Sequence, residues 1–319
     1  MPPGQWQLGS DSTNNVKVSV ILTTHRRPQV LRRALDSVMR QTYQDIEVIV
    51  VDDNGHGTEM QKETEATVSQ YPKAIYHANL NNLGKAASLN WAIREAGGEL
   101  LAFLDDDDEF HSEKLARQVA RMKATNASGV YCNYKRIFRN KLYFKSTHEL
   151  GKDEGDLALD MLLGINEICG GSTLLLRSSA VTEAGGFDER FKRHIDWAFL
   201  ICYFRNHKLS LCDDVLVTVH MDDQMWTVNP ELQFEMKQLF FSSFEQDIVR
   251  HGKAVPDIYF KHWLDVYFEC LRRGQLVLAL RSLRSATSRG HLNIPKLLRI
   301  TASAIKHSNL NFKQASLNQ

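Results

Sequence analysis

The sequence predicts an α/β protein in which a doubly wound, mostly parallel sheet is followed by a C-terminal helical annex. Short, β-branched apolar runs, typical of strands buried on both faces, alternate with segments of helical period. The connections between them are short, which favours βαβ units. After about Met225 the apolar residues recur only at helical spacing, and this indicates the annex.

The first third of the chain is predicted to hold four strands and three helices. Pro28 stands at the first turn of the first helix, where its missing N–H costs no hydrogen bond. Gly97 and Gly98 close the third helix, because glycine readily adopts the backbone of a helix C-terminus. In chain order the elements are strand 18–23, helix 28–41, strand 46–51, helix 58–69, strand 74–78, helix 85–96 and strand 100–104.

The pattern changes beyond Ser112, which is a good N-cap for the next predicted helix. The glycine pairs Gly170-Gly171 and Gly185-Gly186 interrupt the chain there. In order we predict helix 112–123, strands 130–137 and 142–145, helix 157–163, strand 172–177, helix 195–206 and one or two short strands within 209–220.

The composition is that of an ordinary globular protein. The 319 residues are 43% apolar and 24% charged, with a formal charge of +1, which excludes a disordered chain and a bulk nucleic-acid binder. The five cysteines are scattered and odd in number, so no disulfide framework or zinc site is predicted. The first sixteen residues do not resemble a signal peptide, and no apolar run approaches the roughly eighteen residues that span a bilayer. We therefore expect a cytoplasmic protein.

Two acidic clusters follow predicted strands: Asp52-Asp53 and the run from Asp105 to Asp108, here called the acidic run. Ligands of open α/β sheets bind outside the carboxyl ends of the strands, so both clusters should face one crevice. Neighbouring carboxylates raise each other's pKa, and a hard divalent cation such as Mg²⁺ or Mn²⁺ would offset their repulsion. The alternatives are a solvated acidic loop for the run, and an Asx turn with Asn54-Gly55 for the first pair.

The segments VSVILTTHRRPQVLRRALDSVMRQTYQDIEVIVVDDNG and NLGKAASLNWAIREAGGELLAFLDDDDEF carry a specific resemblance. Their T-x-x-R, S-x-x-x-Q-T-Y, V-D-D-N-G, N-x-G-x-x-x-x-x-N and L-D-x-D-D motifs occur in the order and at the approximate spacing of glycosyltransferase family 2. The chain is similar to the nucleotide-binding half of that family over about residues 16 to 115. The resemblance implies the GT-A fold and a nucleotide-sugar substrate.

Carried over position by position, the resemblance implies a donor site and a metal site. Asp107 is the expected metal ligand, with Asp105 nearer the ribose or a metal-bound water, and the cofactor is Mn²⁺ or Mg²⁺. Because the x position of the D-x-D motif is also aspartate, Asp106 or Asp108 can share the role. His220 is a further candidate ligand, with a structural hydrogen bond as its alternative. The expected nucleotide-sugar-binding residues are Thr23, Thr24, Arg26, Asp52, Asp53, Lys85, Asp105 and Asp106.

The segment GGFDERFKRHIDWAFLICYF resembles the family's acceptor half, in which an aspartate at the start of a helix is the general base. Asp196 matches that position, although His-Ile-Asp departs from the usual Glu-Asp. Asp188 and Glu189 are the alternative bases, and a helix-capping role is the alternative for Asp196. Trp197 and Trp226 are candidates for stacking on a sugar ring, or for packing in the core.

The implied function is an inverting, metal-dependent glycosyltransferase. It would move a sugar from a nucleotide-diphosphate donor to a hydroxyl of a glycan or lipid-linked acceptor in surface polysaccharide synthesis. Thr23 and Asp52 favour a UDP-sugar by resemblance. A nucleotidyltransferase is one alternative, but LTTHRRPQV lacks the glycines that such enzymes place after the first strand. A non-catalytic nucleotide-sugar binding module is the other, and it would be favoured if Asp196 faced away from the crevice.

The resemblance also suggests a division of the chain. We expect a flexible tail over 1–15, a catalytic domain over 16–225, and a helical region with a basic tail over 226–319. Within the catalytic domain, 16–110 would be the nucleotide-binding half and 111–225 the acceptor half.

The C-terminal region loses its acidic residues. Nine lysines and arginines follow Leu271 without an Asp or Glu, and leucines recur at helical spacing. Amphipathic helices of this charge can lie on anionic lipid, so the protein could be peripheral on the inner face of the membrane. A solvated basic face and an oligomer contact are the alternatives. No nucleic-acid partner is expected.

Overall fold

A computed structural model describes residues 16–148, 157–164, 168, 170–223 and 229–288. The predicted N-terminal tail, Trp226 and the basic tail beyond Ser288 lie outside these residues. The chain divides into two compact units, Met1–Val228 and Asn229–Gln319. The functional halves expected within the first unit stay a prediction.

The first unit is built on a nine-stranded sheet, and its first four strands are all parallel. Their spatial order is β3-β2-β1-β4, so the first strand lies between the second and the fourth. These elements are β1 Val18–Thr24, α1 Pro28–Met39, β2 Ile46–Asp52, α2 Glu59–Val68, β3 Ala74–Ala78, α3 Lys85–Glu95 and β4 Leu100–Asp105.

The parallel half forms because its three inner strands, β1, β2 and β4, are largely apolar and buried. Every residue of β1 is buried, as the continuous apolar run predicts. The buried stripe of α1 consists of Leu31, Ala34, Leu35 and Val38, which belong to the same core cluster as β1, β2 and β4. The predicted strands and helices of this half are present within about two residues.

The second half of the sheet is mixed. The order continues β4-β8-β6-β9-β5, with antiparallel pairs at β4–β8, β8–β6 and β9–β5, and a parallel pair at β6–β9. These elements are β5 Asp108–Phe110, α4 Lys114–Thr125, β6 Gly129–Phe138, β7 Lys141–Lys145, α5 Ala158–Leu163, β8 Leu175–Arg177, α6 Ser178–Glu183, α7 Ile195–Tyr203 and β9 Leu209–His220. The doubly wound α/β prediction is confirmed, with antiparallel strands added in this half.

Three details differ from the sequence prediction, and one is the short helix α6, which was not predicted. The predicted strand 172–177 is a 3₁₀ turn, Gly171–Thr173, followed by the three-residue strand β8. The short strand β5 was not predicted, because two of its three residues are acidic and belong to a run that indicates a loop. Its backbone nevertheless pairs with β9, and this pairing fixes the end of the acidic run.

The described part of the second unit is helical, as predicted. Its helices are α8 Pro230–Ser243, α9 Glu245–Arg250, α10 Val255–Arg272 and α11 Leu276–Ser288. Aromatic side chains of α8 and α10 form its core, with Phe241 stacked on Tyr259 at 4.2 Å between ring centroids. None of the helices within the described residues is both long enough and apolar enough to cross a bilayer.

Candidate active site

The strand register brings the two acidic turns to one edge of the sheet. Thr23 of β1 lies opposite Asp105 of β4, and Thr24 lies opposite Asp52 of β2. The backbone N–H of Asp53 donates to the carbonyl of Thr24 at 2.9 Å. The carboxyl ends of β2, β1 and β4 therefore place the predicted residues side by side, as the expected crevice requires.

Asp52 is fully buried and has partners on both carboxylate oxygens. Oδ2 accepts a hydrogen bond from the Tyr76 hydroxyl at 2.7 Å, and Oδ1 accepts one from the Asn54 backbone N–H at 2.8 Å. Burial raises the pKa of Asp52, and these hydrogen bonds oppose the shift. The contact with Asn54 is the Asx turn that the sequence allowed.

Asp53 fixes the loop that leads into α3. Its carboxylate accepts the backbone N–H groups of Leu83 at 2.7 Å and Gly84 at 2.8 Å, and the Asn79 amide at 2.8 Å. Gly84 has a φ of +90°, which glycine adopts readily. The V-D-D-N-G and N-x-G motifs are thus joined in one hydrogen-bonded turn.

The end of β1 holds three of the predicted donor residues. Thr23 is buried, and the Thr24 hydroxyl donates to Oδ2 of Asp106 at 2.7 Å. Arg26 is exposed and has a φ of +61°. Its backbone N–H donates to the Asn54 side chain at 2.7 Å. This loop is therefore attached to both acidic turns.

Arg27 is a site residue that the sequence interpretation missed. Its guanidinium forms ion pairs with Asp106 through Nη2 and with Asp107 through Nη1, the latter at 2.6 Å. A signal for it was present: the T-x-x-R motif counted from Thr24, rather than from Thr23, ends at Arg27.

The remaining two members of the acidic run have other partners. Asp105 accepts from Lys85 Nζ at 2.6 Å. Asp108 accepts from the Ser172 hydroxyl at 2.6 Å, and that hydroxyl accepts from the backbone N–H of Asp105 at 3.1 Å. Lys85 is the first residue of α3. The helix α3 and the 3₁₀ turn at 171–173 therefore both contact the acidic run.

Burial makes the acidic run electrostatically unfavourable. It raises the pKa of Asp106 to about 7, although Arg27 opposes the shift. It also raises the pKa of Asp107 and of Asp108, and the neighbouring charge of Asp105 raises both further. Such carboxylates gain most from a nearby cation.

Asp196, the predicted base, faces the same edge. Burial raises its pKa, the ammonium of Lys85 opposes that shift, and Asp105 adds to it. The same carboxylates hold the pKa of Lys85 above its ordinary value, although burial lowers it. Asp196 therefore faces the crevice. A carboxylate that faced away would have favoured a binding module without catalysis.

Two glycines make room for the Asp196 carboxylate. Gly170 has a φ of +52°, and a Cβ placed on it would lie 3.2 Å from Oδ2 of Asp196. A Cβ on Gly171 would lie 3.0 Å from Cβ of Phe103 and 3.9 Å from Oδ1 of Asp196. The pair Gly170-Gly171, predicted only as a break in the chain, packs against the Asp196 carboxylate.

The segment before Asp196 is attached to α3 through Asn90, the last residue of the N-x-G-x-x-x-x-x-N motif. The Asn90 side chain accepts from the Phe187 N–H at 2.9 Å and donates to the Phe187 carbonyl at 2.8 Å and to Glu189 at 2.9 Å. Asp188 forms an ion pair with Arg190 at 2.6 Å. Both alternative bases thus have structural partners.

His220 and His194 lie elsewhere around the site. Nε2 of His220 lies 3.2 Å from Oε2 of Glu109, which is the structural hydrogen bond that the sequence left open, and burial and the charge of Arg33 lower its pKa. His194 is the N-cap of α7, with a φ of +59°, and its ring stacks on Trp197 at 4.5 Å.

The acidic run has the donor chemistry of a hard-cation site. Within the described residues no group of three or more His, Cys, Asp or Glu side chains is arranged to hold a metal ion. Mg²⁺-type sites commonly use only one or two protein carboxylates and complete their shell with phosphate oxygens and water. Asp105 and Asp107 fit such a site, and Arg27 and Lys85 supply the positive charge here.

The chain is similar in sequence and in fold to known glycosyltransferases. An uncharacterized glycosyltransferase of Rickettsia typhi is 28% identical over 244 residues, which are 75% of this chain and 74% of that protein. The S. aureus TarS 1-349 structure in complex with UDP-GlcNAc has a TM-score of 0.56 at 16% identity, over 87% of this chain and 93% of that chain.

A second solved structure extends over more of the chain. The mannosyltransferase PcManGT from Pyrobaculum calidifontis, in complex with GDP-Man and Mn²⁺, has a TM-score of 0.54 at 20% identity, over 95% of this chain and 84% of that chain. These likenesses show the fold. The model of the family described as "Glycosyl transferase family 2" matches residues 19–184, just over half of the chain. The chain therefore belongs to glycosyl transferase family 2, and it is a glycosyltransferase with the GT-A fold.

Proposed function

We propose that the protein is an inverting, metal-dependent glycosyltransferase that moves a sugar from a UDP-sugar to a hydroxyl of a glycan or lipid-linked acceptor in surface polysaccharide synthesis. The observation that carries this proposal is the position of Asp196. Its half-buried carboxylate lies within electrostatic reach of Lys85 and Asp105, at the edge of the sheet where the acidic run begins. Direct displacement of the diphosphate by the acceptor hydroxyl requires a base and a diphosphate site close together, and here both would lie at one edge of the sheet.

The donor nucleoside would lie on the turns at the ends of β1 and β2. Thr24, Arg26, Asp52 and Asp53 take part there in hydrogen bonds that hold the loops in place, and Thr23 is held by the pairing of β1 with β2 and β4. The complex of TarS with UDP-GlcNAc supports a uridine donor. The complex of PcManGT with GDP-Man makes a guanosine donor the alternative.

The diphosphate would lie near Lys85 and the acidic run. Asp107 and Asp105 would hold the Mn²⁺ or Mg²⁺ ion, with Asp106 beside them, and the Mn²⁺ in the PcManGT complex supports a metal. When bound, such a cation neutralises the charge that develops on the departing nucleoside diphosphate. His220, which bonds to Glu109, remains a weaker proposed ligand.

Asp196 would act as the general base. The acceptor oxygen forms a bond to C1 of the sugar, the bond from C1 to the diphosphate oxygen breaks on the opposite side, and the hydroxyl proton passes to the Asp196 carboxylate. Burial raises the pKa of Asp196, and the ammonium of Lys85 opposes that shift and so favours the ionised form that a base requires. General-base catalysis typically contributes about 10² to 10⁴ in rate.

A screen of nucleotide sugars with and without Mn²⁺, on the purified full chain, tests the proposal. We expect donor binding and turnover to require metal and to be lost in Asp107→Ala. Asp196→Asn should keep donor binding while turnover to acceptor falls by about 10² to 10⁴. Asp188→Asn is the matched control, since Asp188 pairs with Arg190 instead. Loss of turnover in the control and not in Asp196→Asn would reassign the base.

A further inference from the structure

The hairpin formed by β6 and β7 gives the first unit a surface that is both basic and apolar. Its two strands are joined by a two-residue turn, Arg139-Asn140, and both turn residues have a positive φ, of 48° and 59°. Such a turn matches the twist of the paired strands. Among the strands that the structure describes, β7 pairs only with β6. β7 is therefore an edge strand, and the segment 135–145 is here called the basic hairpin.

The basic hairpin carries five cations and no acidic residue. They are Lys135, Arg136, Arg139, Lys141 and Lys145. Asp222 accepts the backbone N–H of Arg139 at 2.7 Å, so its carboxylate is bonded to the main chain of the turn. All but Arg136 are exposed. A cluster of this density attracts an anionic surface.

The same segment exposes large apolar side chains. Leu142 is 64% exposed and Tyr143 is 57% exposed, and they are neighbours at a β-bulge in β7. Phe138 and Phe144 are 43% and 42% exposed. Exposed aromatic and aliphatic residues flanked by lysine and arginine are the composition of segments that lie in the headgroup region of a bilayer.

The basic hairpin is also connected to the active site. Asp222, which bonds to its turn, is followed by Asp223, and Asp223 accepts from Arg33 at 2.6 Å. Arg33 also donates to the backbone carbonyl of Asp107 at 2.8 Å. Three successive contacts thus fix the position of the turn relative to the acidic run within the same unit.

We propose that the basic hairpin docks the enzyme on an anionic phospholipid surface. The cations bind lipid phosphate, and Leu142, Tyr143, Phe138 and Phe144 enter the headgroup region. The apolar residues favour this partner over a soluble anionic polymer, which would need the charges alone. Docking there brings the acidic run towards the surface, where a lipid-linked acceptor lies; only this last consequence rests on the proposed function.

Vesicle co-sedimentation of the full chain tests the proposal without any substrate. Wild type should bind phosphatidylglycerol–phosphatidylcholine vesicles, bind pure phosphatidylcholine weakly, and release as salt rises. A variant with Lys135→Gln, Lys141→Gln and Lys145→Gln should bind about 100-fold more weakly, from about fivefold per cation. Leu142→Ser with Tyr143→Ser should lose about tenfold. Both variants should keep the thermal unfolding of wild type.

The rival surface provides the matched control. Helix α11 exposes Leu276, Val277 and Leu280 by 63%, 75% and 66%, and changing these three to serine should leave vesicle binding unchanged. Binding that is lost in this control and kept in both hairpin variants would overturn the proposal in favour of the C-terminal helices. If inorganic polyphosphate displaces the vesicles and the Leu142→Ser, Tyr143→Ser variant binds as wild type, the hairpin instead binds an anionic polymer. Donor turnover in solution, measured separately, tests the proposed reaction.

Discussion

Arg27 shares its two Nη groups between the neighbouring carboxylates of Asp106 and Asp107. Arginine suits this position because its planar group presents several donors at once and keeps its charge when it is partly buried. Without that charge, burial and mutual repulsion would raise the pKa of both carboxylates further, opposed only by hydrogen bonds such as that from Thr24 to Asp106. Arg27 is therefore the internal counter-ion of the acidic run.

Replacing Arg27 should destabilise the metal-free protein. Arg27→Met leaves two buried carboxylates without their partner. We expect a loss of about 1 to 3 kcal/mol, below the roughly 3 to 5 kcal/mol of a fully buried broken pair, because Asp106 can take up a proton. Mn²⁺ should restore a larger share of stability in the variant than in wild type. Urea unfolding with and without Mn²⁺ measures both effects.

Arg32→Met is the control for that experiment. Arg32 lies on α1, the helix that Arg27 precedes, is exposed, and bonds to Gln70 rather than to the acidic run. We expect its unfolding to match wild type in either condition. An Arg27→Met protein as stable as wild type without metal would mean that the ion pairs contribute nothing to folding.

At the scale of elements, the turn at 170–173 decides where the base can lie. Gly170 combines a φ of 52° with a ψ of −161°, a region essentially confined to glycine. In Gly170→Ala we expect about 1 to 3 kcal/mol of destabilisation and roughly tenfold lower turnover, because the new methyl group would push the Asp196 carboxylate out of position. Turnover under saturating donor and urea unfolding are the measurements.

The Gly185→Ala variant distinguishes the effect of backbone strain from the effect of displacing the Asp196 carboxylate. Gly185 also has a positive φ, of 87°, but a Cβ there would meet nothing within 4 Å. This variant should lose stability and keep most of its turnover. Equal losses of turnover in both variants would show that backbone strain, and not contact with Asp196, is responsible.

Elements with local signals could be predicted from the sequence, and contacts between distant segments could not. β1, β2 and β4 are continuous apolar runs, and the acidic turns follow them, so the crevice was predictable. Arg27 was missed because its partners are 79 and 80 residues away. β5 was missed because it consists of the residues DEF, and its strand conformation comes from pairing with β9.

At the scale of the whole molecule, the core of the first unit contains a buried cation. Lys114 is fully buried, bonds to Gln118 at 2.7 Å, and lies 4.0 Å from the centroid of the Phe110 ring. Burial lowers its pKa to about 8. Since the folded state then binds fewer protons than the unfolded chain, this group makes the protein more stable as the pH rises from about 8 towards 10.5.

Lys114→Met should remove that pH dependence. The free energy of unfolding of wild type, relative to the variant, should rise by about 2 kcal/mol between pH 7.5 and pH 9.5. The difference between the two proteins is the readout, because the tyrosines and cysteines that titrate in the same range are common to both. Urea unfolding at three pH values in this window measures it, and parallel pH profiles would contradict the assignment.

The three hydrogen bonds of Asn90 have a consequence for protein engineering. They join α3, which also supplies Lys85, to the segment that leads into the helix carrying Asp196. Exchange of acceptor-side segments between relatives is an obvious route to new linkage specificity. In a chimera with a junction between residues 90 and 187, the two sides of this hydrogen-bonded contact come from different parents. Such a chimera should therefore keep an asparagine at position 90 and the same backbone conformation around position 187.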